Sequence, residues 1–231
     1  MNGSVCVDAG SLTDALTLDE QARVRAVLVT HAHMDHVASL PFLVENVFGR
    51  NGAPLEIVAP EEVLAALREH LFNDALWPDF SRLPNDAVPA VTFRVIPTAT
   101  PCAVAGLVAT ALPVSHVVPT YGYILEDAGG CIVFSGDTGP TEALWEAARV
   151  RSDVKGFFVE CSFPNALQDL ADVSKHLTPA TLRAEIEKLP AGAPIYLYHM
   201  KPPTLERLRA EVAALGNGRV SLLADGDELT F

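Results

Sequence analysis

Three of the chain's seven histidines fall within six positions, in His31-Ala32-His33-Met34-Asp35-His36. Imidazole nitrogens ligate zinc and similar divalent metals, and a carboxylate among them adds charge compensation. Four such side chains exceed what one ion with an open coordination position needs, so the pattern suggests two metals. The cluster follows an apolar run, Val24 to Thr30, that reads as a buried strand. Donors of the same types recur downstream. His116 lies in Pro113-Val-Ser-His116, Asp137 in Phe134-Ser-Gly-Asp137-Thr-Gly, and His199 at the end of Pro194-Ile-Tyr-Leu-Tyr-His199. Each sits where a strand-like run gives way to a loop, the rim on which α/β folds carry their chemistry. Taken singly, a histidine or an Asp-Thr-Gly turn is ordinary; four strand ends of this kind together point to a metal site.

These residues resemble those of the metallo-β-lactamase-fold hydrolases, over nearly the whole chain, from Val5-Cys-Val-Asp8-Ala-Gly10 to His199-Met-Lys-Pro202. The resemblance implies an α/β fold, a four-layer αββα sandwich with a dinuclear metal site at the sheet edge, in one domain spanning residues 1–231. It implies that His31, His33 and His116 hold one metal, that Asp35, His36 and His199 hold the other, and that Asp137 bridges them. Asp8 matches a position that orients a metal-ligating histidine from behind, fixing its tautomer and ring direction. Zinc is the first expectation from ligand type, and manganese or iron also fits a mixed nitrogen and oxygen site.

Accessory residues narrow the reaction. Glu160 ends a strand-like run, and sixteen residues later comes His176, in Lys175-His176-Leu-Thr178-Pro179. Cleavage of a phosphodiester needs the departing alkoxide protonated, and a carboxylate-oriented histidine does that. The pair is similar to the relay of the phosphodiesterase branch, which includes tRNA 3′-processing nucleases. Within that branch, His31-Ala-His-Met-Asp-His36 followed by Val-Ala-Ser-Leu-Pro-Phe42 resembles the signature of class II cyclic-nucleotide phosphodiesterases. So do Ser115-His116-Val-Val-Pro119-Thr-Tyr-Gly122-Tyr123, Glu160-Cys-Ser-Phe-Pro-Asn165 and His199-Met-Lys-Pro202. Met34 stands where that family commonly has Leu, a volume-conserving change. The family also usually carries a strand ahead of the position of Asp8. The resemblance implies hydrolysis of cAMP or cGMP to the 5′-monophosphate, by attack of a metal-bridging hydroxide, with His176, oriented by Glu160, protonating the 3′-oxygen. Phe42, Asn46, Tyr121, Tyr123 and Asn165 are the candidate substrate contacts. The alternatives are a tRNA 3′-processing-type endonuclease, an ester, thioester or lactam hydrolase, and a non-catalytic metal-binding protein on the same scaffold.

Composition bounds the partners. The 29 acidic residues outnumber the 16 Lys and Arg, for a net charge of −13. Such a field repels polyanions, which disfavours long nucleic acid while leaving a small anion free to bind at metals. Cys6, Cys102, Cys131 and Cys161 form no C-x-x-C pair, so neither a disulfide framework nor a zinc knuckle is expected. No run of eighteen apolar residues and no leader pattern is visible, so the expectation is a cytoplasmic chain without a membrane partner. A homodimer is left open.

The elements that must position these side chains read as alternating strands and helices. Strands are expected at Val5–Asp8, Val24–Thr30, Leu55–Val58, Val91–Ile96, Leu107–Leu112, Tyr121–Leu125, Cys131–Phe134, Gly156–Glu160, Ile195–Tyr198 and Val220–Leu223. Helices are expected at Val37–Phe48, Pro60–Leu71, Thr141–Val150, Pro179–Leu189 and Pro203–Leu215, three of them opening on proline. Asn73–Pro89, rich in turn formers and aromatics, reads as an excursion that could serve as a lid.

Overall fold

Buried β-branched runs become short parallel strands here, and polar loops at their carboxyl ends carry the histidines. The computed structural model describes residues 1–50 and 52–231. The chain divides into two compact units, Met1–Gly106 and Leu107–Phe231.

The first unit holds a four-stranded parallel sheet in the order β1 (Val5–Val7), β2 (Ala26–Leu28), β3 (Leu55–Ala59), β4 (Val91–Val95). Val27, Leu28, Ile57, Val58 and Val91 are all buried, the pattern of parallel strands covered on both faces. Short helices α1 (Leu12–Ala15) and α2 (Leu18–Gln21) precede β2. Between β2 and β3 lie α3 (Met34–Val37) and α4 (Leu40–Val47). Helix α5 (Glu61–His70) connects β3 to β4. Helix α4 buries Leu40, Leu43, Val44 and Val47, the i, i+3, i+4, i+7 stripe of an amphipathic helix.

Val37–Phe48 is not one helix but α3 and α4, broken at Ser39. The Ser39 hydroxyl donates to the Ala9 carbonyl at 2.7 Å and accepts from the Leu12 amide at 2.9 Å. Pro41 sits in the first turn of α4, where its missing N–H costs nothing. The excursion Asn73–Pro89 is irregular; Trp77 packs edge-on against Phe42 of α4, centroids 5.0 Å apart. A short strand that the pattern did not reveal, β5 (Cys102–Val104), comes last in this unit.

The second unit contributes six strands in the order β11-β10-β9-β8-β7-β6. They are β6 (Leu107–Pro113), β7 (Tyr121–Asp127), β8 (Gly130–Phe134), β9 (Val154–Glu160), β10 (Ile195–Tyr198) and β11 (Val220–Leu222). Strands β6 to β8 pair antiparallel, and β8 to β11 pair parallel. The carboxyl ends of β6, β8, β9 and β10 therefore share one edge. Helices α6 (Ala143–Arg149), α7 (Gln168–Ser174), α8 (Pro179–Lys188) and α9 (Leu205–Ala213) complete the unit. Val133, Phe157, Val159, Ile195 and Leu197 join Trp145, Leu182, Leu208 and Val212 in its core. Helix α8 starts as its sequence predicts, with Thr178 accepting from the Thr181 amide and Pro179 at the first helical position. Among the described residues no helix is long and apolar enough to cross a membrane.

Candidate active site

In the first unit, the loop after β1 and the loop after β2 lock together. Asp8 leaves β1 with φ 59°, a left-handed conformation that aspartate tolerates better than most residues. Its carboxylate accepts from the Thr30 amide at 2.7 Å, the Thr30 hydroxyl at 2.8 Å and His36 Nδ1 at 2.7 Å. His36 therefore carries its proton on Nδ1 and presents the Nε2 lone pair to a ligand. The Thr30 hydroxyl, already donating to Asp8, accepts from His31 Nδ1 at 3.0 Å, which leaves His31 Nε2 as its ligand atom too.

His31 Nε2 and His33 Nδ1 stand 3.0 Å apart. Two nitrogens that bind one ion at about 2.0–2.1 Å and near-tetrahedral or right angles stand roughly 2.9–3.4 Å apart, so the pair is spaced for a shared metal. His31 is fully buried, His33 half-buried and Asp35 exposed. Gly10 makes this packing feasible: a Cβ there would lie 1.8 Å from the Asp35 carbonyl oxygen.

In the second unit, the loops after β6, β8, β9 and β10 carry the remaining residues. His116 Nδ1 donates to the Lys175 carbonyl at 3.1 Å, and Lys175 Nζ donates to the His116 carbonyl at 3.0 Å. The glutamate at the end of β9, Glu160, is fully buried and surrounded by donors. Oε1 accepts from the Thr138 amide at 2.9 Å and from His176 Nδ1 at 2.6 Å. Oε2 accepts from the Ser162 amide at 3.1 Å, the Ser162 hydroxyl at 3.0 Å and the Leu177 amide at 3.3 Å. This cradle fixes the carboxylate in place and holds the His176 ring by Nδ1, which leaves Nε2 as the nitrogen turned toward chemistry.

Ser162 also links Glu160 to His199. Its hydroxyl, donating to Glu160, accepts from His199 Nδ1 at 2.9 Å, and Asp137 Oδ1 lies 3.1 Å from the same nitrogen. His199 thus offers Nε2, where Lys201 Nζ sits at 3.0 Å, a cation on the lone pair a metal would use. Ligand-capable atoms of His116, Asp137 and His176 lie within 4.8 Å of one another, as do those of Glu160, His176 and His199. The donor set of each unit, imidazole with carboxylate and tautomers fixed from behind, fits a divalent ion. Burial pushes the Cys161 thiol well above its usual pKa, and the Glu160 and Glu211 charges add to the shift, so this buried cysteine is inert.

The candidate substrate contacts fare differently. Phe42 is 48% exposed, on α4 beside Trp77. Asn46 ties α4 to Gln21 through a 2.9 Å hydrogen bond. Tyr121 is buried, and Tyr123, at 0% exposure, has no surface to offer a ligand. The Asn165 side-chain oxygen accepts from the Ala180 amide, an orphan donor in the first turn of α8, at 2.8 Å. His70 is exposed on α5. Sequence reasoning gave no role to Ser162, Lys175 or Lys201; the signal available was only their adjacency to Glu160, His176 and His199.

Two sheets with flanking helices, and histidine and aspartate donors at strand ends, define a hydrolase of the metallo-β-lactamase fold, for which divalent metals are implied. Residues 8–200 match the family model described as the beta-lactamase superfamily domain, and the chain belongs to that family. It is 26% identical over 235 residues to a 3′,5′-cyclic-nucleotide phosphodiesterase of Aliivibrio fischeri, covering 80% of this chain and 66% of the relative. It is 28% identical over 226 residues to a Ribonuclease Z of Mycolicibacterium paratuberculosis, covering 90% of this chain and 79% of that one. The crystal structure of unliganded yeast PDE1 superposes with a TM-score of 0.75 at 21% identity, over 90% of this chain and 69% of that chain.

Proposed function

We propose that the protein hydrolyses 3′,5′-cyclic nucleotides, cAMP or cGMP, to 5′-monophosphates, using two divalent ions, with zinc the first choice. The residues that would hold them are His31, His33, Asp35 and His36 of the first unit and His116, Asp137 and His199 of the second. The observation that carries the reading is the 2.6 Å contact between Glu160 and His176, inside a carboxylate cradle of four further donor groups. An ester, thioester or lactam hydrolase has no need of it.

When bound, the ions supply Lewis-acid charge to the phosphoryl oxygens and bring the ionisation of water toward neutral pH. Asp8 holds His36, and the Ser162 hydroxyl holds His199, in the tautomer that leaves Nε2 for coordination. His176 would act as the imidazolium: with Nδ1–H held by Glu160, it gives its Nε2 proton to the departing 3′-oxygen, returns to the neutral Nδ1–H form, and the 5′-nucleotide is released. The net charge of −13 supports a small monoanionic substrate over folded RNA. The similarity to Ribonuclease Z makes pre-tRNA the rival substrate. Chromatography of cAMP, cGMP and pre-tRNA digests under one metal condition is the test: we expect 5′-monophosphates without 3′-monophosphate. Efficient pre-tRNA cleavage with inert cyclic nucleotides overturns the reading.

A further inference from the structure

We infer that Lys201 is an anion-binding residue of this site, held on His199 until a metal takes its place and then released to grip the substrate phosphate. This rests on the assignment of His199 as a metal ligand.

Lys201 Nζ lies 3.0 Å from His199 Nε2. The other ring nitrogen donates to Ser162 Oγ at 2.9 Å, so the ammonium donates to the Nε2 lone pair. One lone pair cannot serve both an ammonium and a metal at about 2.0–2.1 Å, and the two cations repel. Loading therefore moves the ammonium.

The backbone cannot follow it. The Lys201 amide donates to the Ser162 carbonyl at 3.4 Å, and the Lys201 carbonyl accepts from the Thr204 amide at 3.1 Å and the Thr204 hydroxyl at 3.2 Å. Pro202 and Pro203 follow, with fixed φ. Only the flexible side chain swings, and its tether keeps the charge beside the strand ends where an anion binds. In a chain of net charge −13, a fixed local cation offsets repulsion of an incoming phosphodiester. Lys175, the lysine next to His176, instead directs its ammonium to the His116 carbonyl.

The test uses Lys201→Met and Lys201→Arg with two readouts independent of cyclic nucleotides. Metal affinity is measured by competition with a chromophoric chelator. Inorganic phosphate binding to the metal-loaded protein is measured by calorimetry and as inhibition of bis-p-nitrophenyl phosphate hydrolysis. We expect Lys201→Met to keep full metal stoichiometry, with affinity unchanged or raised several-fold because a competitor is gone. Phosphate binding should weaken about tenfold, KM should rise more than kcat falls, and Lys201→Arg should recover most of the loss. If Lys201→Met does not fold, Lys201→Gln carries the same readouts. A tenfold loss of metal affinity makes Lys201 a mere prop of His199 and overturns the inference. So does phosphate binding unchanged within twofold. Inert cyclic nucleotides with these readouts as expected would instead refute only the substrate assignment.

Discussion

Glu160→Gln is isosteric, yet the cradle makes it a severe change. Five donor groups converge on the carboxylate, and an amide has one acceptor oxygen. If the amide nitrogen replaces Oε2, it faces the Ser162 and Leu177 amides, two donors that cannot reverse. If it replaces Oε1, it faces the Thr138 amide and His176 Nδ1, and the histidine can shift its proton to the other nitrogen. The second arrangement strands one backbone N–H, which costs about 1–3 kcal/mol. It also leaves His176 Nδ1 an acceptor bound to the amide, so the tautomer is reversed and the ring can no longer cycle its proton against a carboxylate. Loss of a positioned general acid costs about 10²–10⁴-fold in kcat, or roughly 2.7–5.5 kcal/mol. Urea denaturation should report the stability loss. Hydrolysis of cAMP should fall by the full factor, while bis-p-nitrophenyl phosphate, whose leaving group needs little protonation, should lose much less. His176→Ala should show the same leaving-group dependence with metal content intact. Equal losses on both substrates, or a Gln variant as stable as the parent, would refute the cradle and the proton-donor role together.

Two further outcomes follow from the ligands and their support. Asp137→Ala removes the carboxylate 3.1 Å from His199 Nδ1 and should abolish both two-metal loading, read by elemental analysis, and turnover. Gly10→Ala places a methyl 1.8 Å from the Asp35 carbonyl oxygen, a backbone clash that should lower stability by about 3 kcal/mol or more, read by thermal unfolding; an unchanged midpoint would contradict the packing.

The strand-end placement of the candidate residues is legible in the sequence because donor chemistry and position coincide: His31 follows β2, Asp137 follows β8 and His199 follows β10. Helix α8 was legible from Thr178 and Pro179, both local signals. The split at Ser39 was not, because its cause is the Ala9 carbonyl thirty residues away. The roles of Ser162 and Lys201 were illegible for the same reason, since loop polar groups have no periodicity and their partners meet only in the fold. Tyr123 and Asn165 show the converse. The family resemblance suggested ligand contact, whereas the structure buries one and gives the other's side-chain oxygen to the Ala180 amide of α8.

The two histidines His36 and His116 are oriented by different kinds of group, and that difference bears on how the site tolerates mutation. His36 depends on a side chain, Asp8, so one codon change can erase its support. His116 depends on the main-chain carbonyl of Lys175, which every amino acid possesses and no substitution can delete. Lys175 adopts φ 55°, so glycine or asparagine could occupy it without disturbing that carbonyl. A change at position 175 would cost the Nζ bond to the His116 carbonyl but leave the acceptor of His116 Nδ1 in place, whereas a change at position 8 removes the acceptor of His36 itself. The support of His116 therefore lies in the backbone beside His176, whereas that of His36 lies in a single side chain.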